Sequence, residues 1–516
     1  MGAGPMRAGP MQTFAGPRRF TPHLPSGSSR PGMHRTPWTS RSDKVAPARW
    51  AQRRDLVALL LREPVAGRVV IGRFGRRLVA AEAGHSLLVV GPTQSGKTTG
   101  LAAPAICEWK GPVVAASVKG DLARLTMDAR SESGEVLLYD PLGTTGLARA
   151  AWSPLGACRT WASSRRVSAD LAAVAREGAM NMTDGDFWYS MAAKLLAPLL
   201  FAAATNGHLM SDVVAWVDEQ DLDYPIGLLS GGGAAAGAGG TAADARAAIQ
   251  ALRATLGRDE RQRSAIFTTA ETVIEAFADP DVAACESPGF AGPRPASTAT
   301  IDAGRLLDGD NTLYLCAPAH DQRRLRALFA TLVAQVIAEA YRRAMVQGKG
   351  LDPPLLVVLD EAANVAPLAE LDVLASTAAG HGVQLVTVWQ DLAQLNARYG
   401  PKGPSVVNNH RAKVFLSGIA DPGTLEHASQ LAGEEDRRVR STTFDHYGSA
   451  STTDASSPRR LVPPDALRRL EPGTALLLYA HLPPVRVTLR NGRNGRETRR
   501  EPGREPRRAT RRPETR

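Results

Sequence analysis

Residues Gly91–Thr98 read GPTQSGKT and match the pattern G-x-x-x-x-G-K-[ST] at every fixed position. An apolar run, HSLLVV, precedes this stretch, and a helix-forming segment continues through Leu101–Trp109. A strand that stops, wraps its main-chain N–H groups around phosphate oxygens and starts a helix makes an anion site. Gly91 and Gly96 permit the wrap because a Cβ would obstruct it. The stretch therefore predicts phosphate binding at the carboxyl end of a strand.

The side chains of this loop indicate a nucleotide with a metal ion. Lys97 can bridge the β- and γ-phosphates, and the Thr98 hydroxyl can bind Mg²⁺. We therefore expect ATP and Mg²⁺ as cofactors. The predicted nucleotide-binding residues are Gly91, Pro92, Thr93, Gln94, Ser95, Gly96, Lys97, Thr98 and Thr99.

A second apolar strand, LLVVLDE at Leu355–Glu361, ends in two acids. Asp360 would hold the Mg²⁺ shell through water, and Glu361 would polarise the attacking water as a general base. An Asp followed by a Glu favours hydrolysis over kinase-type transfer, because water needs a base. With Lys97, the acid pair predicts a P-loop ATPase.

The stretch Val383–Leu395, VQLVTVWQDLAQL, carries Trp389, Gln390 and Asp391 at the carboxyl end of an apolar strand. In ATPases with a catalytic glutamate, an additional strand lies between the phosphate-loop strand and the acid-bearing strand. Its tip lies beside the γ-phosphate, where an amide can both donate and accept a hydrogen bond. Gln390 is therefore the fourth predicted catalytic residue, a phosphate sensor, and the alternative is an amide that caps the following helix.

Strand and helix signals alternate before residue 160 and again after residue 301, which predicts an α/β fold with a parallel-rich central sheet. Between them the apolar spacing is helical, so we expect an all-helical inserted domain. The Ser- and Thr-rich segment 440–460 is predicted to be a loop. The expected boundaries are a disordered basic tail at 1–54, nucleotide-binding parts at 55–160 and 301–489, the insertion at 161–300, and a disordered Arg-rich tail at 490–516.

Charge is unevenly distributed along the chain. The tails 1–54 and 490–516 carry +9 and +7 of the total of +11, which leaves −5 for the body. The tails could contact phosphate groups of DNA or acidic lipids, or they could be solubilising segments without a ligand. The four cysteines have no C-x-x-C spacing, so neither disulfides nor a structural metal site are expected. We find no membrane-spanning apolar run and predict a cytoplasmic chain.

Several stretches together resemble the coupling ATPases of type IV secretion and conjugation, the TraG/TraD group. They are HSLLVVGPTQSGKTTG, SVKGDL, LLVVLDEAANVAPL, LVTVWQDLAQLNARYG and VVNNHRAKVFLSGIAD, supported by YDPLG, AWSPL and FWYSMAAKLL. The late segment PDALRRLEPGTALLLYAHLPPV also resembles the end of that fold. The resemblance covers roughly residues 65–490 in order, so it is far more specific than a phosphate loop.

The resemblance implies a RecA-like motor with an inserted helical domain, assembled as a homo-hexamer around DNA. Its implied partners are single-stranded DNA, a relaxase or relaxosome, and the proteins of a type IV secretion channel. The segment from about 352 to 480 resembles the TraM-recognition part, which is associated with relaxosome components. The implied location is peripheral, at the inner face of the cell membrane, with contact through a partner or the basic tails.

Three departures from the family pattern stand out. Family members usually begin with transmembrane helices, where this chain has an Arg- and Pro-rich tail. Ser117 stands where the family strand usually has Asp before Pro-Lys-Gly. Residues 378–382, where some members place an arginine that acts on a neighbouring subunit, read AAGHG. The remaining arginine-finger candidates are Arg398 and Arg411, both expected in loops after the sensor strand.

Two other functions compete with the coupling motor. A double-stranded DNA translocase of the FtsK/HerA type shares the ring and the phosphate loop, but the expected winged helix is not recognisable. A nucleotide-dependent switch or scaffold is the alternative of another class, and the intact Glu361 argues against it.

Overall fold

The computed structural model describes residues 47–178, 185–231, 240–287, 296–318, 320–366, 368–444 and 450–490. Most of both predicted tails, at 1–46 and 491–516, and most of the Gly- and Ala-rich spacer, at 232–239, lie outside the described residues. Strands and helices alternate along the described part of the motor, as the sequence predicts.

The strands, in chain order, are β1 (Leu60–Leu61), β2 (Val70–Phe74), β3 (Arg77–Ala80), β4 (Leu87–Val90), β5 (Val113–Ser117), β6 (Val136–Tyr139), β7 (Arg149–Ala151), β8 (Ala296–Thr300), β9 (Thr312–Cys316), β10 (Leu355–Leu359), β11 (Val383–Trp389), β12 (Ala412–Leu416), β13 (Glu434–Phe444), β14 (Ala450–Arg460), β15 (Thr474–Tyr479) and β16 (Val485–Thr488).

The helices are α1 (Ala103–Glu108), α2 (Asp121–Ser131), α3 (Trp161–Gly178), α4 (Gly185–Asn206), α5 (Met210–Asp218), α6 (Asp223–Ser230), α7 (Ala242–Leu256), α8 (Glu260–Ile274), α9 (Pro280–Ala284), α10 (Ala303–Leu306), α11 (Gln322–Gln347), α12 (Leu371–Thr377), α13 (Leu392–Tyr399), α14 (Gly403–Asn409), α15 (Pro422–Ala432) and α16 (Pro464–Arg468). A π-helical turn, Thr98–Ala102, precedes α1.

Twelve strands form one sheet in the order β1-β3-β2-β16-β15-β12-β4-β11-β10-β5-β9-β6. The strands from β12 to β6 are parallel to one another, and the remaining strands extend the sheet with antiparallel pairing. The predicted parallel-rich centre is confirmed. Because all seven parallel strands point the same way, their carboxyl ends meet at one edge of the sheet.

Both faces of the sheet are covered by helices, so its central strands are apolar on both sides. In β4, Leu88 and Val90 belong to the core that includes the inserted helices, whereas Leu87 and Val89 face the core that includes α1. This alternation follows from the two-residue period of a strand. Double coverage explains why the parallel strands are continuous apolar runs.

The insertion consists of α3 to α9 and returns to the motor through a short strand. Strands β7 and β8 pair in parallel as a separate two-stranded sheet at the base of the insertion. The prediction that 161–300 is entirely helical is therefore wrong at its carboxyl end. The sequence of β8, ASTAT, has no alternation of apolar and polar residues that would mark it as a strand.

Part of the predicted disordered amino-terminal tail is folded. The Ala48 N–H donates to the Glu434 carbonyl at 2.7 Å, and Arg486 lies over the Trp50 ring at 5.5 Å. Arg49 forms an ion pair with Asp55. The described residues of 47–54 thus pack on the motor, because the Trp50 ring and main-chain bonds offset the polar composition.

The predicted loop at 440–460 is largely a β-hairpin. Strand β13 pairs antiparallel with β14 over eleven residues each, and Arg460 at its base pairs with Glu426. Ser and Thr dominate its sequence, and Thr favours extended backbone without supplying the apolar alternation that usually marks a strand.

One helix of the described chain, α4, is long and apolar enough to cross a membrane by length and composition, and 67% of its apolar window is buried inside the protein. It packs as the central helix of the insertion against α3, α7 and α8. The four cysteines are free thiols.

A buried guanidinium joins the amino ends of β5 and β9. Arg130, which is 1% exposed, donates to the carbonyls of Trp109, Gly111 and Asp310 at 2.6, 2.9 and 2.8 Å. Its Nε donates to the Thr312 hydroxyl at 2.7 Å. Burial lowers the pKa of Arg130, and these four acceptors compensate for the lost water.

We predict that Arg130→Ala lowers the free energy of unfolding by about 3 kcal/mol or more, because several buried acceptors lose their donor. Denaturant titration followed by intrinsic fluorescence measures the change. The control is Asp128→Ala, an exposed change on the same helix, for which we expect a shift within about 0.5 kcal/mol. Equal effects of the two variants would contradict the structural role of Arg130.

Candidate nucleotide site

The phosphate loop connects β4 to the π-helical turn at the carboxyl edge of the sheet. The Gly91 N–H donates to the Trp389 carbonyl at 3.1 Å, which ties the start of the loop to β11. Within the loop the Ser95 hydroxyl donates to the Pro92 carbonyl at 2.7 Å. Gly96 has φ +89°, a left-handed conformation that glycine adopts without strain.

Lys97 lies against its own loop. It is 8% exposed, and its Nζ donates to the carbonyls of Gly91 and Pro92 at 2.5 and 2.7 Å. Burial lowers the pKa of Lys97, and the carboxylates of Asp360 and Glu361 act in the opposite direction. The Lys97 ammonium is therefore held at the loop by these two carbonyls, and a bound phosphate would replace them as its hydrogen-bond acceptor.

Asp360, at the end of β10, directly faces the loop. Its Oδ2 accepts hydrogen bonds from the Thr98 hydroxyl at 2.9 Å and from the Ser117 hydroxyl at 3.4 Å. Burial raises the pKa of Asp360, and the Thr98 bond opposes that increase. A buried carboxylate beside a threonine hydroxyl is a set of hard oxygen donors, which suits Mg²⁺. Thr98 and Asp360, the predicted metal residues, thus meet across the one strand, β11, that lies between β4 and β10.

Glu361 follows Asp360 in a left-handed backbone conformation, with φ +68°. Turn hydrogen bonds hold this geometry, since the Glu361 carbonyl accepts from the Asn364 N–H at 2.9 Å and the Ala362 N–H donates to Val388 at 3.1 Å. Non-glycine residues rarely adopt such angles, and those that do concentrate at functional sites. The turn changes the chain direction directly after β10 and sets where the Glu361 side chain projects.

Strand β11 lies between β4 and β10, pairing with both in parallel. Its tip, Gln390, is therefore flanked by the phosphate loop on one side and the acid pair on the other. Asp391, not Gln390, caps α13, since the Asp391 carboxylate accepts from the Gln394 N–H at 2.7 Å. The helix cap that was the alternative role for Gln390 thus belongs to its neighbour.

The two arginine candidates lie in different places. Arg398 is half-buried in α13, so its predicted location in a loop is wrong; the spacing of Leu392 and Leu395 is helical. Arg411 is exposed in the loop just before β12, and it lies at the amino edge of the sheet, opposite the phosphate loop. Arg411 therefore lies at the opposite edge of the sheet from its own subunit's phosphate loop.

Two contacts at the site are not evident from the sequence. Leu489, after the last strand, packs on the loop, where its side chain lies against Gly96 and Gly100. Arg490 pairs with Glu108 at the end of α1, so one residue of the predicted carboxyl-terminal tail is folded. No motif marks these residues, whose partners are almost 400 positions away. The one available signal was Gly100, because a glycine inside a helical segment can mark a place where another residue packs closely against the backbone.

We predict that Asp360→Asn stabilises the nucleotide-free protein near pH 7. A carboxyl whose pKa is raised on folding costs stability as the pH rises through that folded pKa, and asparagine cannot ionise. Thermal unfolding should show a midpoint a few degrees higher for the variant at pH 7, with a difference that shrinks toward pH 4, near the unfolded pKa. The exposed Asp128→Asn is the control. A lower midpoint for Asp360→Asn at pH 7 would contradict the burial cost.

Comparisons with known proteins show which proteins the chain resembles. The chain is 25% identical to the VirD4 protein of Rhizobium radiobacter over 444 residues, covering 80% of this chain and 58% of that protein. The chain is 25% identical to the VirD4 protein of Agrobacterium fabrum over 449 residues, covering 83% of this chain and 61% of that protein. The chain thus spans about three fifths of the length of these curated relatives.

Solved structures of the conjugative coupling protein TrwB share the fold. The unbound monoclinic form has a TM-score of 0.62 and 19% identity, and the match covers 86% of this chain and 93% of that one. TrwB in complex with ADP and Mg²⁺ has the same TM-score and identity, and the match covers 87% of this chain and 94% of that one. The predicted RecA-like P-loop fold is confirmed. A family model for type IV secretory system conjugative DNA transfer matches residues 37–489, and the chain belongs to that family.

Proposed function

We propose that the chain is an ATP-hydrolysing coupling protein that drives DNA into a type IV secretion or conjugation channel. The observation that carries this proposal is the contact between the Thr98 hydroxyl and the Asp360 carboxylate, with Gln390 on the strand between them. This arrangement joins a phosphate loop, a metal-binding acid and a polar strand tip in one site. Membership of the conjugative DNA transfer family supplies the substrate class.

Each residue has a distinct role in the proposed reaction. Lys97 donates hydrogen bonds to the β- and γ-phosphates, and Glu361 accepts a proton from the attacking water. Thr98 and Asp360 would hold Mg²⁺, which neutralises phosphate charge when bound. TrwB has been solved with ADP and Mg²⁺, which supports these cofactors. Gln390 contacts the γ-phosphate or the water and changes partner when that phosphate leaves.

The proposed partners follow from the family. They are single-stranded DNA with its relaxase or relaxosome, the proteins of the secretion channel, and five further copies of this chain in a hexamer. We propose a location at the cytoplasmic face of the membrane, held there by a partner or by the basic tails. The negative charge of the body makes the tails the better membrane contact.

For the arginine that acts on a neighbour, we favour Arg411 over Arg398. In a head-to-tail ring, a subunit meets its neighbour's site with a surface other than its own site. Arg411 satisfies this requirement because it is exposed at the edge of the sheet opposite the phosphate loop. Residues 378–382, the position used by some family members, precede β11 at that same edge.

The function is tested by ATP turnover with and without single-stranded DNA. We expect DNA to stimulate the wild type. Lys97→Ala and Glu361→Gln should lower kcat at least 100-fold, because Lys97 acts on the transferred phosphate and Glu361 on the attacking water. Gln390→Ala should retain ATP affinity within a few-fold and lose the stimulation.

A wild type without DNA-stimulated turnover under hexamer-forming conditions would overturn the motor. Stimulation by duplex in preference to single strands would favour the FtsK/HerA type of translocase. ATP binding without turnover would favour the switch or scaffold.

The arginine assignment is tested by mixing subunits. We expect Arg411→Ala to lower kcat at least 100-fold with little change in KM, because the guanidinium acts on transition-state charge. Lys97→Ala subunits, inactive by themselves, still present Arg411 to a neighbour. Rings mixed from Arg411→Ala and Lys97→Ala subunits should therefore recover turnover. Recovery occurs where the intact nucleotide site of an Arg411→Ala subunit meets the intact Arg411 of a Lys97→Ala subunit.

Arg398→Ala is the matched control and should retain turnover within a few-fold. Failure of the mixed rings to recover turnover would remove Arg411 from the role. If Arg398→Ala instead loses turnover, and mixing it with Lys97→Ala subunits restores turnover, the role belongs to Arg398.

A further inference from the structure

A groove of about 310 Å³ crosses the inserted domain where α3, α4 and the end of α7 meet. It is distinct from the nucleotide site, none of whose residues line it. Five alanines contribute to its walls and leave it open because their methyl groups are too small to fill it: Ala169, Ala193, Ala197, Ala251 and Ala254.

Each of the three segments contributes one cation to this groove. They are Arg165 of α3, Lys194 of α4 and Arg258, just after α7. Arg165 and Lys194 are exposed, whereas Arg258 is half-buried. None of the groove-lining residues that the structure describes is acidic. Three cations that converge without a carboxylate repel one another unless an anion joins them.

Arg258 gives independent evidence for a missing anionic partner. Among the residues that the structure describes, no acceptor lies within hydrogen-bond reach of its buried Nε, and its Nη2 lies 4.0 Å from the Met191 sulfur. A buried donor without an acceptor carries a desolvation cost. Other arginines of the protein have carboxylate partners, such as Arg343 with Asp308.

The remaining groove residues suit a nucleotide strand. Trp161 is half-buried at the start of α3 and contributes an indole to the wall, where a base can stack. The exposed Ser190 adds a hydroxyl that can donate to a phosphate oxygen. Cations from several segments beside an aromatic ring are the combination used by sequence-independent binders of single strands.

We propose that this groove binds the phosphodiester backbone of single-stranded DNA through Arg165, Lys194 and Arg258. The inference rests on the proposed function, and it specifies where on the inserted domain the transported strand binds. Each cation neutralises one phosphate, and Trp161 stacks on a base. The site needs no sequence preference, since every contact is to the backbone or to an aromatic face.

The test compares two charge-matched variants of the full chain by fluorescence anisotropy with a labelled oligo-dT strand. One variant changes Arg165, Lys194 and Arg258 to Gln. The control changes Arg246, Arg253 and Arg261, exposed arginines of the same domain outside the groove, to Gln. The basic tails are intact in both, so their contribution cancels in the comparison.

We expect the groove variant to lose at least tenfold in affinity at 0.15 M salt and the control to lose less than threefold. The slope of log affinity against log salt should fall in magnitude by about 2 for the groove variant, since three phosphate contacts are lost. Basal ATP turnover should be unchanged in both variants. An Arg165→Gln, Lys194→Gln double variant, which alters only exposed side chains, should show about two thirds of the change in slope.

Equal losses in the two triple variants would overturn the groove, even where the wild type binds DNA and the proposed function stands. A wild type that neither binds oligo-dT nor responds to it in turnover would overturn the proposed function itself. Loss of binding to vesicles containing phosphatidylserine, with unchanged oligo-dT binding, would assign the groove to lipid headgroups and overturn the DNA proposal.

Discussion

The pairing of β11 with both β4 and β10 is the constraint on which the nucleotide site depends. If β4 and β10 were direct neighbours, the phosphate loop and the acid pair would be one strand apart, with no polar tip between them. The inserted strand separates them by two strand spacings, about 10 Å. The Thr98 and Asp360 side chains then span the gap with a single hydrogen bond, over the strand that carries Gln390.

The inserted domain depends on the same sheet. Its buried residues form one continuous apolar cluster with the face of β4 that carries Leu88 and Val90. The opposite face, with Leu87 and Val89, packs against α1 and does not reach the insertion. Close-packed cores transmit strain. A displacement of the parallel strands therefore reaches the insertion only through the face of the sheet that packs against it.

Local patterns made the site predictable from the sequence. The loop at Lys97 and the acids at Asp360 and Glu361 each follow an apolar strand, so their edge of the sheet could be deduced from chain order. The position of Gln390 required the strand order of ATPases with a catalytic glutamate, since strand order is not a local property. The interaction of Ser117 with Asp360 joins two strands that are distant in sequence, and no pattern marks it. The hairpin of β13 and β14 was missed because Ser- and Thr-rich strands that are mostly exposed to solvent need no apolar alternation.

The neighbours of β4 also set the order in which the molecule can be completed. The phosphate-loop strand is synthesised early, at Leu87–Val90, but its two partners are β11 and β12, which follow the whole insertion. The residue that packs on the loop glycines, Leu489, comes later still. During synthesis the loop therefore remains without its supporting contacts until nearly the entire described chain has left the ribosome. A chain truncated before β16 would therefore contain every motif residue and still lack the contact of Leu489 with the loop glycines.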